Sequence, residues 1–154
     1  MKVSKKSDYA LRVLFDLVDQ YGKGPLSIRE LAQRSAIPKR FLEHILLDLK
    51  ARGWVDSQPG KYGGYVLAQD PRDIRMGEVV RVFDHLLSPI NCVSAHEYEK
   101  CSQELTCRFR RVFLEIRNNT TRLMDGASLA AVYAGLPVQP QEVFDQALTG
   151  GDGI

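Results

Sequence analysis

The sequence of 154 residues lacks any long apolar run. Its longest stretch without a charged residue, Gly126 to Gln141, contains two prolines and is shorter than the roughly 20 apolar residues that a bilayer-spanning helix needs. The basic start of the chain leads straight into an amphipathic pattern, without the apolar core and cleavage site of a secretory signal. We therefore expect a cytoplasmic protein with no membrane partner.

The sequence also lacks the motifs of common catalytic sites. It shows no pairing of a nucleophile with a base, no phosphate-cradling glycine loop ahead of a helix, and no catalytic zinc motif. The composition, 44% apolar and 26% charged, is that of an ordinary globular protein, which excludes wholesale disorder. We expect a protein of about one domain's length that is not an enzyme.

Charge is distributed unevenly along the chain. Residues 1–70 carry 12 Lys and Arg against 8 Asp and Glu, a balance of +4, whereas residues 71–154 carry 9 against 11, a balance of −2. A basic half joined to a mildly acidic half suggests an anionic partner for the first half, and nucleic acid is one such partner.

Two helices separated by a tight turn are predicted within the basic half. Ser27 and Glu30 form a capping box that opens a short helix from Ile28. After a turn, Pro38 occupies the expected first position of a longer helix that places Phe41 and four aliphatic residues on its inner side and runs to about Arg52. This order is that of a helix-turn-helix.

A two-stranded wing is predicted directly after these helices. Trp54-Val55 and Tyr65-Val66-Leu67 read as strands, and the glycines between them allow a tight hairpin. The predicted fold is mainly α (α+β): a winged helix-turn-helix with a two-stranded wing and a long C-terminal dimerisation helix. A recognition helix presents its N-terminal residues to base edges, while the preceding helix and the wing reach the DNA backbone or minor groove. The candidate DNA-binding residues are Arg29, Lys39, Arg40, Glu43, His44, Lys61 and Tyr62.

A long amphipathic helix is predicted from Arg108 to Met124. Apolar residues recur every three or four positions from Phe109 to Leu123, and arginines take much of the remaining surface. Such a helix can lie on a membrane, but an apolar stripe with two phenylalanines favours a two-fold dimer. The predicted division is a winged domain at 1–87, a cysteine loop at 88–107, a dimerisation helix region at 108–135 and a tail at 136–154.

All three cysteines, Cys92, Cys101 and Cys107, fall within 16 residues. An odd, clustered set argues against a disulfide framework and toward metal or redox chemistry. No Cys-x-x-Cys pair of structural zinc is present, and thiolates also suit iron–sulfur clusters or copper(I). Three thiolates leave one position for a further donor, and the candidates are Asp8, His96, Glu97, Glu99 and Glu104. Asp8 has a second explanation, since an acid in a first helical turn complements the helix dipole.

The sequence resembles the Rrf2 family of winged-helix transcription regulators over roughly residues 1–135. The resemblance is carried by Tyr9-Ala-Leu-Arg12, Leu31-Ala-Gln-Arg-Ser-Ala-Ile-Pro38, Phe41-Leu-Glu43, the wing Gly60-Lys-Tyr-Gly-Gly-Tyr-Val-Leu-Ala68, Met76-Gly-Glu78, and a three-cysteine loop ahead of a long helix.

The resemblance implies a homodimer with crossing long helices and an iron–sulfur cluster held by Cys92, Cys101 and Cys107. In the IscR branch a histidine three residues after the last cysteine completes the ligand set, and that position is Arg110 here. In the NsrR branch an aspartate near the N-terminus of the partner subunit does so, and Asp8 occupies the matching place.

These observations predict a DNA-binding transcription regulator, a repressor by preference, whose operator affinity is set by a cluster that senses iron, nitric oxide or redox state. A 4Fe–4S cluster is favoured over 2Fe–2S, because three thiolates around an open or oxygen-ligated fourth iron are a common arrangement. The alternatives are a cluster-free regulator that uses thiol or zinc chemistry, and a winged-helix module for protein interaction.

Overall fold

A computed structural model of the chain describes residues 2–84 and 88–143. His85, the predicted end of a helix at Leu87 and the tail beyond residue 143 lie outside the described residues. The described elements, in chain order, are α1 Lys5–Asp19, α2 Ile28–Ser35, α3 Lys39–Ala51, β1 Val55–Gln58, β2 Gly64–Leu67, α4 Met76–Asp84, a single 3-10 turn Asn91–Val93, α5 Phe109–Gly126, α6 Leu129–Ala134 and α7 Pro140–Val143.

Helix α1 lies at the centre of the protein. Ser4 caps its N-terminus by accepting a hydrogen bond from the Ser7 backbone N–H. Its buried face, which includes Val13, Leu14 and Leu17, packs against α2, α3, α4, α6 and β2. Because these five elements all contact α1, the helix fixes the positions of the helix-turn-helix and of α6.

The predicted helix-turn-helix is confirmed as α2, a turn and α3. Ser27 and Glu30 make both bonds of the capping box. The chain leaves α2 through Ala36, which has a left-handed backbone with a φ of 54°. Pro38 was expected at the first helical position, and that prediction is wrong by one residue: Pro38 is the N-cap, with an extended ψ of 134°, and α3 begins at Lys39.

Four aliphatic residues of α3 face the core as predicted, but Phe41 does not. Leu42, Ile45, Leu46 and Leu49 are buried, whereas Phe41 remains 47% exposed and meets the ring of Tyr9 edge to face, with 6.3 Å between ring centroids. The helix was expected to place Phe41 on its inner side. Phe41 precedes Leu42 by one residue and therefore lies at the margin of the buried stripe.

The wing is an antiparallel hairpin in which Val55 pairs with Leu67 and Gln58 with Gly64. Trp54 was expected in the first strand, but it is buried just before β1 begins. Two glycines are required in this hairpin, because a Cβ on Gly63 would lie 2.1 Å from the Gln58 carbonyl oxygen and one on Gly64 would lie 2.3 Å from that of Leu26. The close approach at Gly64 lets Leu26 pair with Tyr65, so the segment before α2 joins the wing.

The C-terminal helices pack back onto the winged helix. Asp125 of α5 forms an ion pair with Arg81 of α4 at 2.7 Å. The Asp125 carboxylate lies directly against Gly77, where a Cβ would leave no room for it. Leu129 of α6 belongs to the same core as α1, and Tyr133 packs against Phe15 with 5.1 Å between ring centroids.

The mainly helical winged helix-turn-helix is confirmed, while the division at residues 87, 107 and 135 stays a prediction. In the described part of the chain, no helix has both the length and the apolar character to cross a membrane.

Candidate DNA-binding surface and cysteine site

The first two turns of α3 carry four of the predicted DNA-binding residues: Lys39, Arg40, Glu43 and His44. All four are exposed. Lys39 and Glu43 lie on one edge of the helix with their charged atoms 4.0 Å apart, a separation at which an exposed pair contributes little. The Arg40 guanidinium lies 5.4 Å from the centroid of the Phe41 ring. Arg40 and Glu43 can therefore meet a DNA groove without breaking a strong protein contact.

The remaining three predicted residues belong to α2 and the wing, the elements before and after α3 in the chain. Arg29 is exposed in the first turn of α2, and the segment preceding that turn pairs with the wing at Leu26. Lys61 and Tyr62 lie in the exposed loop between the wing strands, where the Lys61 ammonium lies 5.4 Å from the Tyr62 ring centroid. The order of α2, α3 and the wing is that of a winged helix-turn-helix.

Leu47 belongs to the same outward surface and was missed by the sequence analysis. It follows Glu43 and His44 by one helical turn and is 66% exposed, although the other leucines of α3 are buried. An apolar side chain here can contact a thymine methyl group. The sequence sets Leu47 apart, because it does not lie on the helix face formed by Leu42, Ile45, Leu46 and Leu49.

The cysteine site is partly assembled. Cys92 and Cys107, which are half-buried, line one cavity of about 320 Å³. Cys101 is exposed and does not line it. All three thiols are free. The peptide between the last two cysteines forms consecutive turns, in which Glu104 N–H donates to the Cys101 carbonyl and Cys107 N–H to that of Gln103.

Glu104 and Arg110 connect the two ends of this loop. Arg110 donates to the carbonyl oxygen of Cys92 at 3.0 and 3.1 Å and pairs with the Glu104 carboxylate at 2.6 Å. The hydroxyl of Tyr98 donates to the other carboxylate oxygen of Glu104 at 2.5 Å. That hydrogen bond to a carboxylate, reinforced by burial and the negative charge of Glu104, raises the pKa of Tyr98. The Arg110 side chain therefore holds Cys92 by its backbone instead of offering a metal ligand.

A second arginine of α5 makes the same kind of contact. Arg117 donates to the Val93 carbonyl at 2.8 Å and to the side-chain oxygen of Asn118 at 2.7 and 3.1 Å. Guanidinium groups donate in a fixed fork, which suits simultaneous contact with two oxygens. Arg110 and Arg117, two helical turns apart, thus fasten the start of the cysteine loop to α5.

The candidates for a further ligand are dispersed. Asp8 lies in the first turn of α1, paired with Arg12 at 2.8 Å, and lines a separate cavity of about 560 Å³. His96, Glu97 and Glu99 are exposed loop residues. Of the five candidates, Glu104 alone lines the cavity with Cys92 and Cys107.

The donor types suit an iron–sulfur cluster, because three cysteine thiols on one loop are the ligands that such clusters use. Within residues 2–84 and 88–143, however, no three side chains of His, Cys, Asp or Glu converge closely enough to hold a metal ion. For all three thiolates to share one cluster, Cys101 must turn toward the cavity that Cys92 and Cys107 line.

One face of α5 is apolar and uncovered, as the stripe in the sequence predicts. Phe109 and Leu123 are 76% and 75% exposed, and Val112 and Ile116 are also exposed. The opposite face packs against α4 and the turn Asn91–Val93. In the described part of the chain no residue of α5 is fully buried, and these side chains leave an apolar stripe exposed along the helix.

Comparison with known protein families gives one match that covers most of the chain. The family model Rrf2, described as an iron-dependent transcriptional regulator, matches residues 3–135. The HTH-type transcriptional regulator rrf2-like of Rhodobacter capsulatus is 41% identical over 138 residues, which cover 86% of this chain and 92% of that protein. CymR of Bacillus subtilis is 35% identical over 121 residues (79% and 86%). NsrR of Geobacillus kaustophilus is 32% identical over 130 residues (84% and 88%). All three are named as transcription regulators.

Solved structures agree with the sequence relatives. The structure of CymR from B. subtilis, titled the global cysteine regulator, has a TM-score of 0.76 at 28% identity and covers 89% of this chain and 99% of its own. T. potens IscR has a TM-score of 0.67 at 26% identity, with 92% and 96% covered.

The contact between Arg110 and the Cys92 carbonyl generates a prediction about thiol reactivity. In metal-free, reduced protein, Arg110→Gln removes the bonds that hold Cys92 against α5, so we expect Cys92 to be alkylated at least about threefold faster. Cys101, already exposed, should react at an unchanged rate. The rates are measured by mass spectrometry after timed exposure to iodoacetamide.

Arg108→Gln is the matched control, because Arg108 is an exposed arginine at the N-terminus of the same helix. An equal acceleration in both variants, or none in either, would show that Arg110 does not hold the loop.

Proposed function

The chain belongs to the Rrf2 family of transcription regulators, and from that premise we propose that it is a cytoplasmic, homodimeric repressor whose affinity for a double-stranded DNA operator is set by an iron–sulfur cluster. One observation carries this proposal: the cysteine loop, with Cys92 and Cys107 on a shared cavity, is fastened by two arginines to the helix that bears the uncovered apolar stripe. The same helix is paired with α4 of the winged helix.

The DNA-binding role is supported by the charge and shape of the winged helix. Arg29, Lys39, Arg40 and Lys61 are four exposed cations distributed over α2, α3 and the wing, the three parts that contact a duplex in helix-turn-helix proteins. The Arg40 guanidinium can donate to guanine, and the Glu43 carboxylate can accept from cytosine. Lys39, Arg29, Lys61 and Tyr62 lie where phosphate contacts are expected, and His44 extends the reading face along the helix.

The homodimer is supported by the uncovered stripe on α5. Side chains as large as Phe109 and Leu123 are seldom left in water in a contiguous row unless another surface covers them. A second copy related by two-fold symmetry presents the same stripe and can cover it. It also places two recognition helices on one duplex, as operators with two half-sites require.

The cluster is supported by the donor set. We assign Cys92, Cys101 and Cys107 as its ligands, with Asp8 of the partner subunit completing the set and 4Fe–4S favoured over 2Fe–2S. When bound, a cluster of this kind supplies iron that reacts with nitric oxide and oxidants. Arg110, Arg111 and Arg117 line the cavity of Cys92 and Cys107, and their positive charges offset the negative charge of several thiolates.

The chain's own contacts offer a route from the loop to the DNA surface. Arg110 and Arg117 hold the carbonyls of Cys92 and Val93, so a change in the loop alters two contacts of α5. Asp125 of α5 pairs with Arg81 of α4, and Asp84 at the end of α4 accepts a hydrogen bond from the Ser4 backbone at the start of α1. In this proposal the ordered and released states of the loop are the two states that a ligand biases.

A second candidate function is regulation through the thiols alone. It is favoured by the exposure of Cys101, which leaves one thiol accessible to oxidants, and by the similarity to a protein titled the global cysteine regulator. In that case the three cysteines form a reversible disulfide or bind zinc, and Asp8 serves only the dipole of α1.

For DNA binding, we expect Arg40→Gln to weaken binding about 10- to 100-fold, because it removes a base-reading guanidinium. Lys61→Gln should weaken binding less and reduce the slope of log affinity against log salt by about one. The probe is a duplex selected by the wild-type protein from a random-sequence library, and affinity is measured by fluorescence anisotropy at several salt concentrations.

Lys100→Gln is the matched control, since Lys100 is an exposed lysine in the cysteine loop. If the protein selects no duplex, or if Arg40→Gln and Lys100→Gln weaken DNA binding equally, the DNA-binding proposal is wrong. The winged helix would then be a module that docks on protein.

For the dimer, we expect Val112→Glu to convert a two-chain particle into a single chain at micromolar concentration, because it buries a carboxylate in an apolar interface. Sedimentation velocity gives the mass, and circular dichroism checks that the helices persist. Leu105→Glu places the same charge on a fully exposed loop residue and should leave the mass unchanged. A single-chain wild-type particle would contradict the homodimer.

For the cluster, we expect anaerobically purified protein to contain about four iron and four sulfide per chain with a broad absorption near 400 nm. Cys101→Ala should lose most of both, whereas the neighbouring Ser102→Ala should keep them. Asp8→Ala should retain sulfide but lose iron faster in air. Zinc alone, or metal-free thiols that oxidise reversibly, would favour the second candidate function instead.

A further inference from the structure

The exposed stripe of α5 has a spacing that limits how a second copy can pair with it. Its positions follow one another at alternating intervals of three and four residues, and all five are exposed in the single chain: Phe109, Val112, Ile116, Asn119 and Leu123. Two helices with this heptad spacing pack side by side along their stripes. The spacing leaves open the relative direction of the two helices and their register.

One edge of this stripe is charged. Arg108, Glu115 and Arg122 recur every seven residues, and each directly precedes a member of the stripe, so the three lie along one edge of the helix. All three are exposed. Among the described residues, Glu115 has no cation within ion-pair distance, and Arg122 donates to the neutral side-chain oxygen of Asn119 at 2.9 Å. The carboxylate of Glu115 is therefore available to a second copy.

The charged edge distinguishes the two directions in which a second helix can lie. The other edge of the stripe carries Phe113 and Thr120, which are uncharged. In a parallel pair the charged edge of each helix faces the uncharged edge of its partner, and Glu115 meets no cation. Reversing one helix brings the two charged edges together, and two-fold symmetry allows this arrangement as well. The charge pattern therefore favours an antiparallel pair.

One antiparallel register pairs opposite charges. It sets Ile116 of each helix opposite Asn119 of the other, close to the two-fold axis. At a rise of about 1.5 Å per residue, Glu115 then differs from the partner's Arg122 by about 3 Å along the helix axis. Long side chains on facing edges bridge such an offset. The two-fold axis repeats the contact, so this register contains two ion pairs.

The alternative antiparallel register pairs like charges. It sets Val112 of each helix opposite Ile116 of the other. Arg108 then lies beside the partner's Arg122, and Glu115 lies beside its own copy. Like charges brought together across an interface oppose association. The apolar stripe can be covered in either register, and the charged edge is what distinguishes them.

We propose that Glu115 and Arg122 select the partner of α5, which is a second copy of this chain bound antiparallel with Glu115 of each subunit paired to Arg122 of the other. Asn119 supports the same register. Its side-chain oxygen accepts from Arg122 within the chain, and its amide N–H groups lie near the axis, where they can donate to the partner's Asn119. A polar residue within an apolar seam fixes register at some cost in stability. The inference rests on the homodimer proposed above and adds its direction, register and choice of partner.

Charge reversal tests the two ion pairs in full-length, metal-free, reduced protein without DNA. We expect Glu115→Arg and Arg122→Glu each to weaken self-association at least about tenfold at low salt, because two-fold symmetry turns two attractive pairs into two repulsive ones. The loss should shrink in about 1 M sodium chloride, which screens exposed charges. Sedimentation equilibrium gives the dissociation constants.

An equimolar mixture of these two variants provides the second measurement. One chain then presents two arginines along its edge and the other two glutamates, so every facing position is complementary. We expect mixed dimers with an affinity within about threefold of wild type, identified by native mass spectrometry from the different masses of the two chains. Mixed dimers also show that both variants fold. Two variants that each lose self-association and fail to combine would overturn the proposal.

Arg108→Glu is the matched control, because in the proposed register Arg108 lies level with residues beyond the end of the partner's α5. It should leave the dissociation constant within about twofold of wild type. In the alternative register, Arg108→Glu and Arg122→Glu would each tighten the dimer, and that result would overturn the proposed register.

The remaining outcomes separate this inference from the homodimer itself. A two-chain wild type whose affinity neither charge reversal alters would overturn the role of the charged edge and leave the homodimer standing. A single-chain wild type would overturn both and assign the stripe to a different protein. Because the measurements use neither DNA nor metal, neither outcome bears on the DNA and cluster predictions.

Discussion

The buried face of α1 is the contact on which the other elements depend. Ala10, Val13, Leu14 and Leu17 are almost completely removed from water, and α2, α3, α4, α6 and β2 all pack around this helix. Close packing of this kind transmits displacement, because an interior without voids cannot absorb it locally. The winged helix and the C-terminal α6 are consequently parts of one core, despite lying at opposite ends of the sequence.

The second organising feature is the use that α5 makes of its arginines. In an isolated amphipathic helix, Arg110 and Arg117 would be read as the solvated side opposite the apolar stripe. In the folded chain they donate to the carbonyls of Cys92 and Val93. These carbonyls lie in the short 3-10 turn Asn91–Val93, and the arginines supply side-chain donors to them. The helix thereby carries the exposed apolar stripe on one face and the cysteine loop on the other.

This double role explains why the position of Arg110 matters. The IscR branch of the family is expected to place a histidine ligand there, whereas here the side chain has no lone pair to offer a metal. Its guanidinium joins Cys92 to Glu104 instead. The same helix borders two cavities, one lined by two of the thiols and one lined by three arginines, and Ser94 and Arg117 contribute to both.

Much of the fold follows from local sequence signals. The capping box at Ser27 and Glu30, the turn at Ala36 and the stripe of α3 predict the helix-turn-helix, because capping and helical periodicity act within a few residues. The glycines of the wing and the spacing of Phe109, Val112 and Ile116 predict the hairpin and the long helix for the same reason. Membership of the Rrf2 family follows from these same motifs together with the cysteine loop.

Tertiary structure alone decided the features that join distant parts of the chain. The return of Leu129 to the core of α1 depends on packing across more than a hundred residues. The exposure of Phe41 and Leu47 depends on which neighbours cover α3, and the separation of Cys101 from Cys92 and Cys107 depends on the path of an irregular loop. Arg81, Ser88 and Arg117 come from three segments and line one cavity only after folding. Local propensity carries no information about such contacts, because their partners are remote in sequence.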